Sequence, residues 1–382
     1  MDADQSNEGP LQLEKHLNLR EQLSHISRTS VLDIWKAAPT GERLSTLLGF
    51  LNARFGPGKL SSDEFLLFGF AEAASHRDNW AEFAGKQAQQ AFNKVYNDRD
   101  WYAVTKHKLL FETVLKGADL PAPKTLAVFD RKGRGAGVPV LKSDEDLMHF
   151  LLDSANHPVF CKPTTGLLSI GAFQIDGCEN ETITVNGQHK YHVNDVIDYI
   201  KGISKKGYLF QSVLIPHPAF NAIGCDVIAS IRFVVLNQES SAQIHSCALK
   251  LPANGEVADN FWRVGSLLCD IAIETGQVCR AVAKTDKGMK LLCNKEEASN
   301  IIGFTLPDFE SARERVLEAA RHFPGIKIQS WDVALTKCGP VLLEVNFGGD
   351  LNLSQMASGK GAMTEPYCEI LRESGYSGFL PN

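Results

Sequence analysis

Two oxygen-bearing side chains stand at the end of an apolar run near the C-terminus. In "VLLEVNFGGDLNLSQ", residues 341–355, a single residue separates Glu344 from Asn346. Side chains two residues apart on a β-strand point to the same face of the sheet, so these two groups converge on one spot. Such a pair either closes a hydrogen-bonded turn beside the Gly-Gly-Asp sequence or binds a hard cation.

The preceding segment, "SWDVALT", adds a third oxygen ligand if the two segments form a hairpin. We predict a loop around Cys338–Pro340, which pairs Asp332 with Asn346 and Ala334 with Glu344. The two carboxylates and the amide then share one face, whereas a slip of one residue moves Asp332 to the other face. This ligand set suits Mg²⁺ better than Zn²⁺. The alternative, in which these groups only hydrogen-bond loop amides, stays open.

A second segment carries groups that suit phosphate. Lys162 ends an apolar strand in "VFCKPTTGLLSIGAFQI", and a loop with hydroxyls and glycines follows it. Backbone N–H groups of such a loop approach phosphate oxygens closely, although the Walker pattern G-x-x-x-x-G-K-S/T is absent from the sequence. Lys108 is a further candidate cation, and its plain alternative is a solvated helix lysine. The candidates in the loop are Thr164, Gly166, Ser169 and Gly171.

Arg232 stands within an otherwise apolar strand, "IASIRFVVL". A guanidinium in such a place needs an anionic partner, because burying an unpaired charge is costly. The partner is either a bound phosphate or a carboxylate of the protein itself, and the sequence leaves both interpretations open.

Composition excludes several classes of protein. The chain has 382 residues, of which 44% are hydrophobic and 22% charged, and its net charge is −6. Nonspecific nucleic-acid binding needs clustered Lys and Arg, which the sequence lacks, so we expect no nucleic-acid partner. We also expect no membrane partner, because no apolar run approaches the roughly 20 residues of a membrane helix. The acidic N-terminus does not read as a signal peptide.

The cysteines and histidines give weaker indications. The nine cysteines are scattered and form no C-x-x-C pair. This pattern is typical of a reduced protein, so we expect a cytoplasmic location. We interpret His189 and His192 as surface or turn histidines rather than a metal pair, because the surrounding sequence offers no further ligands.

The pattern of predicted elements changes near Trp101. We expect a disordered tail at 1–10, and apolar residues at three- and four-residue spacing predict helices in 11–100, which serve packing or docking. Beyond this region, short strands alternate with helices, which we predict at 143–153, at 192–202 and in "DFESARERVLEAARHFPG". Mixed helices and largely antiparallel strands indicate an α+β fold.

Six segments, taken in order, resemble the ATP-grasp superfamily and most of all its sugar-transfer-associated family. They are "HKLLFETVLKGADLPAP", "VFCKPTTGLLSIG", "LFQSVLIPHP", "ASIRFVV", "ADNFWRVGSLLCDIAIETG" and "SWDVALTKCGPVLLEVN". The resemblance implies an ATP-grasp fold, in which two α+β lobes grip ATP. After the helical region, it implies an entry segment at 101–155, a small lobe with the Gly-rich loop at 156–212, and a large lobe with the metal site at 213–382.

The resemblance also implies roles for single residues. Lys108 and Lys162 match lysines that contact the nucleotide phosphates, and Gly166 to Gly171 match the loop that closes over them. Arg232 matches an arginine that stabilises the transferred phosphoryl group, so Lys162 and Arg232 are the catalytic candidates. The residues that match the Mg²⁺ ligands are Asp332, Glu344 and Asn346.

Two further groups of residues follow from the same resemblance. The linker strand between the lobes, where adenine bonds to the backbone, comprises Gln211, Ser212, Val213 and Leu214. The residues in segments that border the acceptor site are Lys250, Asp259, Asn260, Arg263 and Asp350.

The resemblance implies an ATP-dependent ligase that turns a carboxylate into an acyl phosphate and passes the acyl group to an amine or a thiol. The expected cofactors are ATP and Mg²⁺, as one or two ions with Mn²⁺ as a substitute. The expected partners are small-molecule carboxylates and amines, in specialised or cell-surface metabolite biosynthesis, and a homodimer is possible.

Two alternatives to the ligase remain open. One is a kinase-like phosphotransferase, in which the lysines and the metal ligands would be the same. The other is a nucleotide-binding protein without turnover, because Leu167, Leu168 and Ile170 replace small residues of the Gly-rich loop.

Overall fold

The computed structural model describes residues 29–71, 80–166, 170–203, 206–238, 241–253, 261–285, 288–292, 300–348 and 350–381. The predicted tail at 1–10 lies outside these ranges, as do three predicted site residues, Ser169, Asp259 and Asn260.

The helices are short and are spread along the whole described chain. None of those in the described ranges combines the length and the apolar character that a membrane span needs. The α-helices there are α1 (Val31–Ala37), α2 (Arg43–Phe55), α3 (Ser62–Leu67), α4 (Lys86–Tyr96), α5 (Tyr102–Lys106), α6 (Lys108–Gly117), α7 (Asp144–Leu152), α8 (Val193–Ile203), α9 (Phe309–Ala320), α10 (Leu351–Ser358) and α11 (Glu365–Glu373).

Local sequence explains where several of these helices begin. A capping box, in which two side chains satisfy backbone N–H groups reciprocally, opens α3 through Ser61 and Glu64 and opens α7 through Ser143 and Asp146. The helices predicted at 143–153, at 192–202 and in "DFESARERVLEAARHFPG" are confirmed as α7, α8 and α9.

Two β-sheets form the body of the molecule. The strands of the first sheet are β1 (Thr125–Phe129), β2 (Val140–Leu141), β3 (Val159–Pro163), β4 (Phe173–Glu179), β5 (Thr182–Val185), β6 (His189–His192) and β7 (Tyr208–Ser212). The strands of the second sheet are β8 (Ser230–Gln238), β9 (Ser241–Leu251), β10 (Leu267–Ile271), β11 (Val278–Thr285), β12 (Gly288–Leu291), β13 (Ile328–Thr336) and β14 (Gly339–Phe347).

The order of strands differs from their order in the chain. The first sheet runs β2-β1-β7-β3-β4-β5-β6, and the second runs β12-β11-β10-β9-β8-β13-β14. All pairings between these strands are antiparallel except that of β1 with β2. Helices and largely antiparallel strands in two separate sheets confirm the predicted α+β architecture. The domain boundaries stay a prediction, although β1 and β2 precede residue 156 and belong to the first sheet.

Each sheet has its own apolar core. In the first sheet, buried side chains of β3, β4 and β7 pack against Leu147 and Leu151 of α7 and against Val196 and Ile200 of α8. In the second sheet, buried side chains of β8, β9 and β13 pack against α9.

The N-terminal helices pack on the second sheet. Within this region, aromatic and aliphatic side chains of α2 and α3 form a cluster that includes Phe50 and Phe65. Phe92 of α4 is fully buried together with Tyr367 of α11 and Val234 of β8. The helical region therefore shares a core with the second sheet.

The terminal hairpin forms as predicted, but its register was predicted wrongly. Asp332 lies opposite Glu344, and Ser330 lies opposite Asn346. The turn is tighter than predicted, because Thr336 pairs with Gly339.

A β-bulge in β14 explains the register. Val333 pairs with Leu342 and Asp332 with Glu344, so Leu343 is the extra residue of β14. Without this extra residue the tight turn would place Leu343 opposite Asp332, and Glu344 would point to the other face. The bulge restores the arrangement that the sequence suggested, with both carboxylates on one face.

Candidate functional site

A cavity of about 210 Å³ lies between the two sheets. The first sheet contributes Phe160, Lys162 and Gln174 to the wall of the cavity. Phe261 and Trp262, which precede β10 of the second sheet, add apolar side chains to this wall. Most of the predicted site residues reach this cavity, namely Lys108, Lys162, Gly166, Gln211, Ser212, Val213, Leu214, Arg232, Lys250, Asp332, Glu344 and Asp350.

Four predicted residues in the described ranges do not line the cavity: Thr164, Gly171, Arg263 and Asn346. The hydroxyl of Thr164 is buried and donates to the carbonyls of Lys206 and Gly207, at 3.0 and 3.1 Å. The hydroxyl of Thr164 thus fixes the start of the loop and does not face the cavity, so the structure gives no support to the predicted contact of this hydroxyl with phosphate.

Gly171 has a packing role at the end of the loop, and its predicted contact with phosphate stays a prediction. Its φ of +77° is in the left-handed region, and a Cβ there would lie 3.0 Å from Cδ1 of Ile203. The carbonyl of Gly171 accepts a hydrogen bond from the hydroxyl of Tyr208. Both features seat the end of the loop on α8 and β7.

Lys108 connects the loop after β3 of the first sheet to the terminal hairpin of the second sheet. Its backbone N–H donates to the carbonyl of Thr164 at 3.0 Å, at the point where α6 begins. Its Nζ donates to the carbonyl of Gly166 at 3.3 Å and lies 4.0 Å from Oε2 of Glu344. The side chain of Lys108 therefore contacts the loop after β3 and lies near β14, which favours a site residue over a solvated helix lysine.

Lys162 approaches the cavity from β3. Its Nζ lies 5.9 Å from the centre of the Phe160 ring, which stands two residues earlier on the same face of the strand. The two lysines therefore meet the cavity from α6 and from β3.

Sequence reasoning missed Glu112, a half-buried carboxylate of α6. It accepts hydrogen bonds from the hydroxyl of Thr125, at 2.5 Å, and from Nε2 of Gln211. Burial raises the pKa of Glu112, although these two hydrogen bonds and the charge of Lys162 oppose the shift. Glu112 thus fixes the side chain of Gln211 at the edge of the cavity, and its position in an amphipathic helix gave no signal of this.

A buried ion cluster occupies the side of the cavity formed by the second sheet. Nε and Nη2 of Arg232 lie 2.8 and 2.6 Å from Oδ1 and Oδ2 of Asp332, and Nζ of Lys250 lies 3.1 Å from Oδ2. Burial alone would raise the pKa of Asp332, but the two cations hold it well below its ordinary value. The partner that Arg232 needed is therefore a carboxylate of the protein.

Glu344, Asn346 and Asp350 follow this cluster on one short segment. Nδ2 of Asn346 donates to Oε1 of Glu344 at 3.1 Å. Asp350 immediately precedes α10, and among the described residues its buried Oδ1 has no hydrogen-bond partner.

Comparison with known families decides the classification. A family model described as sugar-transfer associated ATP-grasp matches residues 87–368.

The chain belongs to the sugar-transfer associated ATP-grasp family. This confirms the resemblance of the six sequence segments, and the match covers the cavity-lining residues of both sheets. No sequence among curated proteins matches the chain.

Solved structures resemble this ATP-grasp protein only distantly. VanG D-Ala:D-Ser ligase from Enterococcus faecalis shares 12% identity at a TM-score of 0.43, over 73% of this chain and 64% of the ligase. D-alanine–D-alanine ligase from Bacillus anthracis shares 10% identity at 0.40, over 75% and 74% of the two chains. N5-carboxyaminoimidazole ribonucleotide synthetase from Thermotoga maritima shares 13% identity at 0.33, over 68% and 48%. At these values the likeness concerns the fold alone.

The residues of this ATP-grasp chain fit a magnesium ion in part. Glu344 and Asn346 offer oxygen ligands side by side, as Mg²⁺ requires, and Asp350 has an oxygen without a partner. Asp332 does not fit, because both of its oxygens already bind cations. In the described ranges, no group of three or more His, Cys, Asp or Glu side chains is arranged to hold a metal. A magnesium ion here would therefore depend on phosphate oxygens as well.

Proposed function

We propose that this protein is an ATP-dependent ligase that activates a small-molecule carboxylate as an acyl phosphate and couples it to an amine. One observation carries the proposal. Four cationic side chains line the cavity between the two sheets of this ATP-grasp protein. Two of them, Lys108 and Lys162, come from α6 and β3, and the other two, Arg232 and Lys250, come from β8 and β9 of the second sheet.

We assign the nucleotide base to the end of the cavity at β7. The backbone N–H of Ser212 already donates to the carbonyl of Lys124 at 2.9 Å. Hydrogen bonds to adenine are therefore assigned to the backbone of Val213 and Leu214, which follow the strand and line the cavity. Phe160 supplies an apolar surface beside them.

We assign the phosphates to the space between the lysines and the ion cluster. Negative charge builds up on the oxygens of a transferring phosphoryl group, and fixed cations in a site shielded from water stabilise it. Lys108 and Lys162 meet this charge from one side, and Arg232 meets it from the other. A bound Mg²⁺ would add charge stabilisation and orient the phosphates.

The remaining wall suits the two organic substrates. An acyl phosphate hydrolyses readily, so the space beside the transferred phosphoryl group has to exclude water. Phe261, Trp262 and Leu353 are apolar residues of the cavity wall. We assign the carboxylate substrate and the amine to this apolar wall.

Two finer expectations stay part of the proposal. The description of the family favours a role in specialised or cell-surface metabolite biosynthesis. A cytoplasmic location is favoured by the cysteines of the described chain, which are all free.

The test measures ADP release in the presence of MgATP and a panel of carboxylates and amines. We expect release that depends on both substrates, free phosphate, and an amide product without phosphorus in its mass spectrum. A product that retains phosphate would establish the kinase instead. Binding of ATP without ADP release under any combination of substrates would favour the protein without turnover.

A further inference from the structure

Asp332 is already fully engaged in the protein. Arg232 holds it with two parallel hydrogen bonds, and Lys250 adds a third contact to Oδ2 at 3.1 Å. The exposed fractions of Arg232, Lys250 and Asp332 are 9%, 5% and 5%, so water does not compete for these contacts. A planar guanidinium that binds both oxygens of a carboxylate is the geometry in which such a pair is strongest.

A metal ion at Asp332 would have to displace these contacts. Two buried cations would then lose their carboxylate partner at the same moment, and buried charges without partners are costly. The magnesium site implied by the family pattern therefore conflicts with the arrangement of this chain at one of its three ligands.

Asp350 offers a carboxylate that can take the place of Asp332 as a metal ligand. Oδ1 of Asp350 is buried and has no hydrogen-bond partner among the described residues, and the side chain lines the same cavity. Glu344 lies opposite Asp332 in the hairpin, and Glu344 and Asp350 line the same cavity as Arg232 and Asp332. Glu344, Asn346 and Asp350 lie within seven residues of one segment, and within the described part of the chain Oδ1 of Asp350 has no hydrogen-bond partner, unlike the oxygens of Asp332.

We propose that Asp332 is a positioning residue, which aims Arg232 and Lys250 at the transferred phosphoryl group, and that Glu344 and Asp350 are the carboxylates that hold the metal ion. This inference rests on the proposed nucleotide site. It assigns to Lys250 a contact with the phosphoryl group, and to Asp350 a role at the metal rather than at the acceptor.

The experiment measures Mn²⁺ binding by electron paramagnetic resonance, in the full-length protein with a non-hydrolysable ATP analogue. Free Mn²⁺ gives a sharp signal that bound Mn²⁺ loses, so the assay reports affinity without turnover. We expect Asp350→Asn to weaken Mn²⁺ binding at least tenfold and Asp332→Asn to change it less than twofold. Glu344→Gln should weaken Mn²⁺ binding whether Asp350 or Asp332 is the second carboxylate ligand. Asp198→Asn, at an exposed position, is the matched control and should bind Mn²⁺ as wild type does.

A second variant covers the possibility that Asp332→Asn disturbs the fold. The double variant Asp332→Asn with Lys250→Gln removes one charge of each sign, so the buried cluster keeps its net charge. We expect its Mn²⁺ affinity at a saturating concentration of the ATP analogue to stay within twofold of wild type, because in this proposal Lys250 contacts the phosphoryl group and not the metal ion. In the ligase assay, Asp332→Asn should lower kcat at saturating MgATP without raising the KM for Mg²⁺, a split that a general loss of structure would not produce.

Opposite results would overturn the inference. If Asp332→Asn and the double variant both lose Mn²⁺ as strongly as Glu344→Gln, while Asp350→Asn binds normally, Asp332 leaves its cations and is the metal ligand. If the wild-type protein binds neither Mn²⁺ nor the ATP analogue, the proposed function fails together with this inference. Binding of both by wild type, with the variant pattern just described, would overturn the inference alone.

Discussion

At the scale of single residues, Glu344 is the proposed metal ligand with the most contacts to other site residues. It stands beside Asn346, faces Lys108 across 4.0 Å, and lies opposite Asp332 in the hairpin. Its carboxylate is only half-buried, so it is free to meet a cation from the cavity. In the proposed reaction, we therefore expect the charge of Glu344 to matter more than that of its neighbours.

Glu344→Gln is expected to lower kcat by about 100-fold or more, the loss typical of removing one electrostatic contact to a transition state. The substitution removes a charge and hardly any volume, so the melting temperature should stay close to that of wild type. ADP release at limiting Mg²⁺ is the measurement, and Glu310→Gln on the exposed face of α9 is the control. Turnover equal to wild type under these conditions would refute the metal assignment.

A buried thiol gives a prediction about stability and pH. Burial raises the pKa of Cys269 in β10 to about 12, above its ordinary value of 9.0. The unfolded chain releases this proton at lower pH than the folded chain does. The stability contributed by Cys269 is therefore complete below about pH 9 and is lost as the pH rises towards 12.

Between pH 8 and pH 10, wild type should lose about 1.4 kcal/mol more unfolding free energy than Cys269→Ala, since one pKa unit corresponds to that amount. Urea titrations under reducing conditions at both pH values measure the difference. Cys279→Ala, at an exposed position, should show the pH dependence of wild type. If the unfolding free energy falls equally between pH 8 and pH 10 in all three proteins, Cys269 ionises as readily in the folded state as in the unfolded one.

At the scale of elements, the hairpin and α10 show what the sequence can and cannot predict. The hairpin and the helices α7, α8 and α9 were predicted because their apolar spacing is a local signal. The register was not, because the bulge at Leu343 leaves no mark in the pattern. Glu112 was missed for a related reason, since its partners Thr125 and Gln211 are distant in sequence and only the folded sheet brings them together.

A polar network ties the N-terminal helices to α10. Asn352 donates to Oε1 of Glu64 at 3.1 Å and accepts from Nε2 of Gln89 at 2.8 Å. Oε1 of Gln89 in turn accepts from the backbone N–H of Leu351 at 3.1 Å. These bonds fix the first turn of α10, directly after Asp350.

Asn352→Leu is expected to lower the free energy of unfolding by about 1–3 kcal/mol, because it removes one buried hydrogen bond from Glu64 and one from Gln89. Urea denaturation gives the value, and Asn221→Leu at an exposed position is the control. A loss below about 0.5 kcal/mol would show that the network is not needed to hold α10.

At the scale of the whole molecule, the N-terminal helices share a core with the second sheet. This arrangement was not predictable, because the sequence of residues 11–100 allowed either a docking module or a packing region, and the packed partner lies more than a hundred residues away. Phe92 of α4 is fully buried with Tyr367 of α11, whereas Phe55 at the end of α2 is 82% exposed. The N-terminal helices thus contain a buried and an exposed phenylalanine. Comparing substitutions at the two positions measures how much these helices contribute to the stability of the protein.

Phe92→Ala should lower the free energy of unfolding by about 3–5 kcal/mol, because it removes a large side chain from a core shared by α4, α11 and β8. Phe55→Ala should change it by less than about 0.5 kcal/mol, as is usual for exposed positions. Far-ultraviolet circular dichroism during urea denaturation measures both, and a single transition in the wild type would show that the helices and the sheet unfold together. If Phe92→Ala proves as harmless as Phe55→Ala, the helices do not stabilise the second sheet and the docking interpretation gains the advantage.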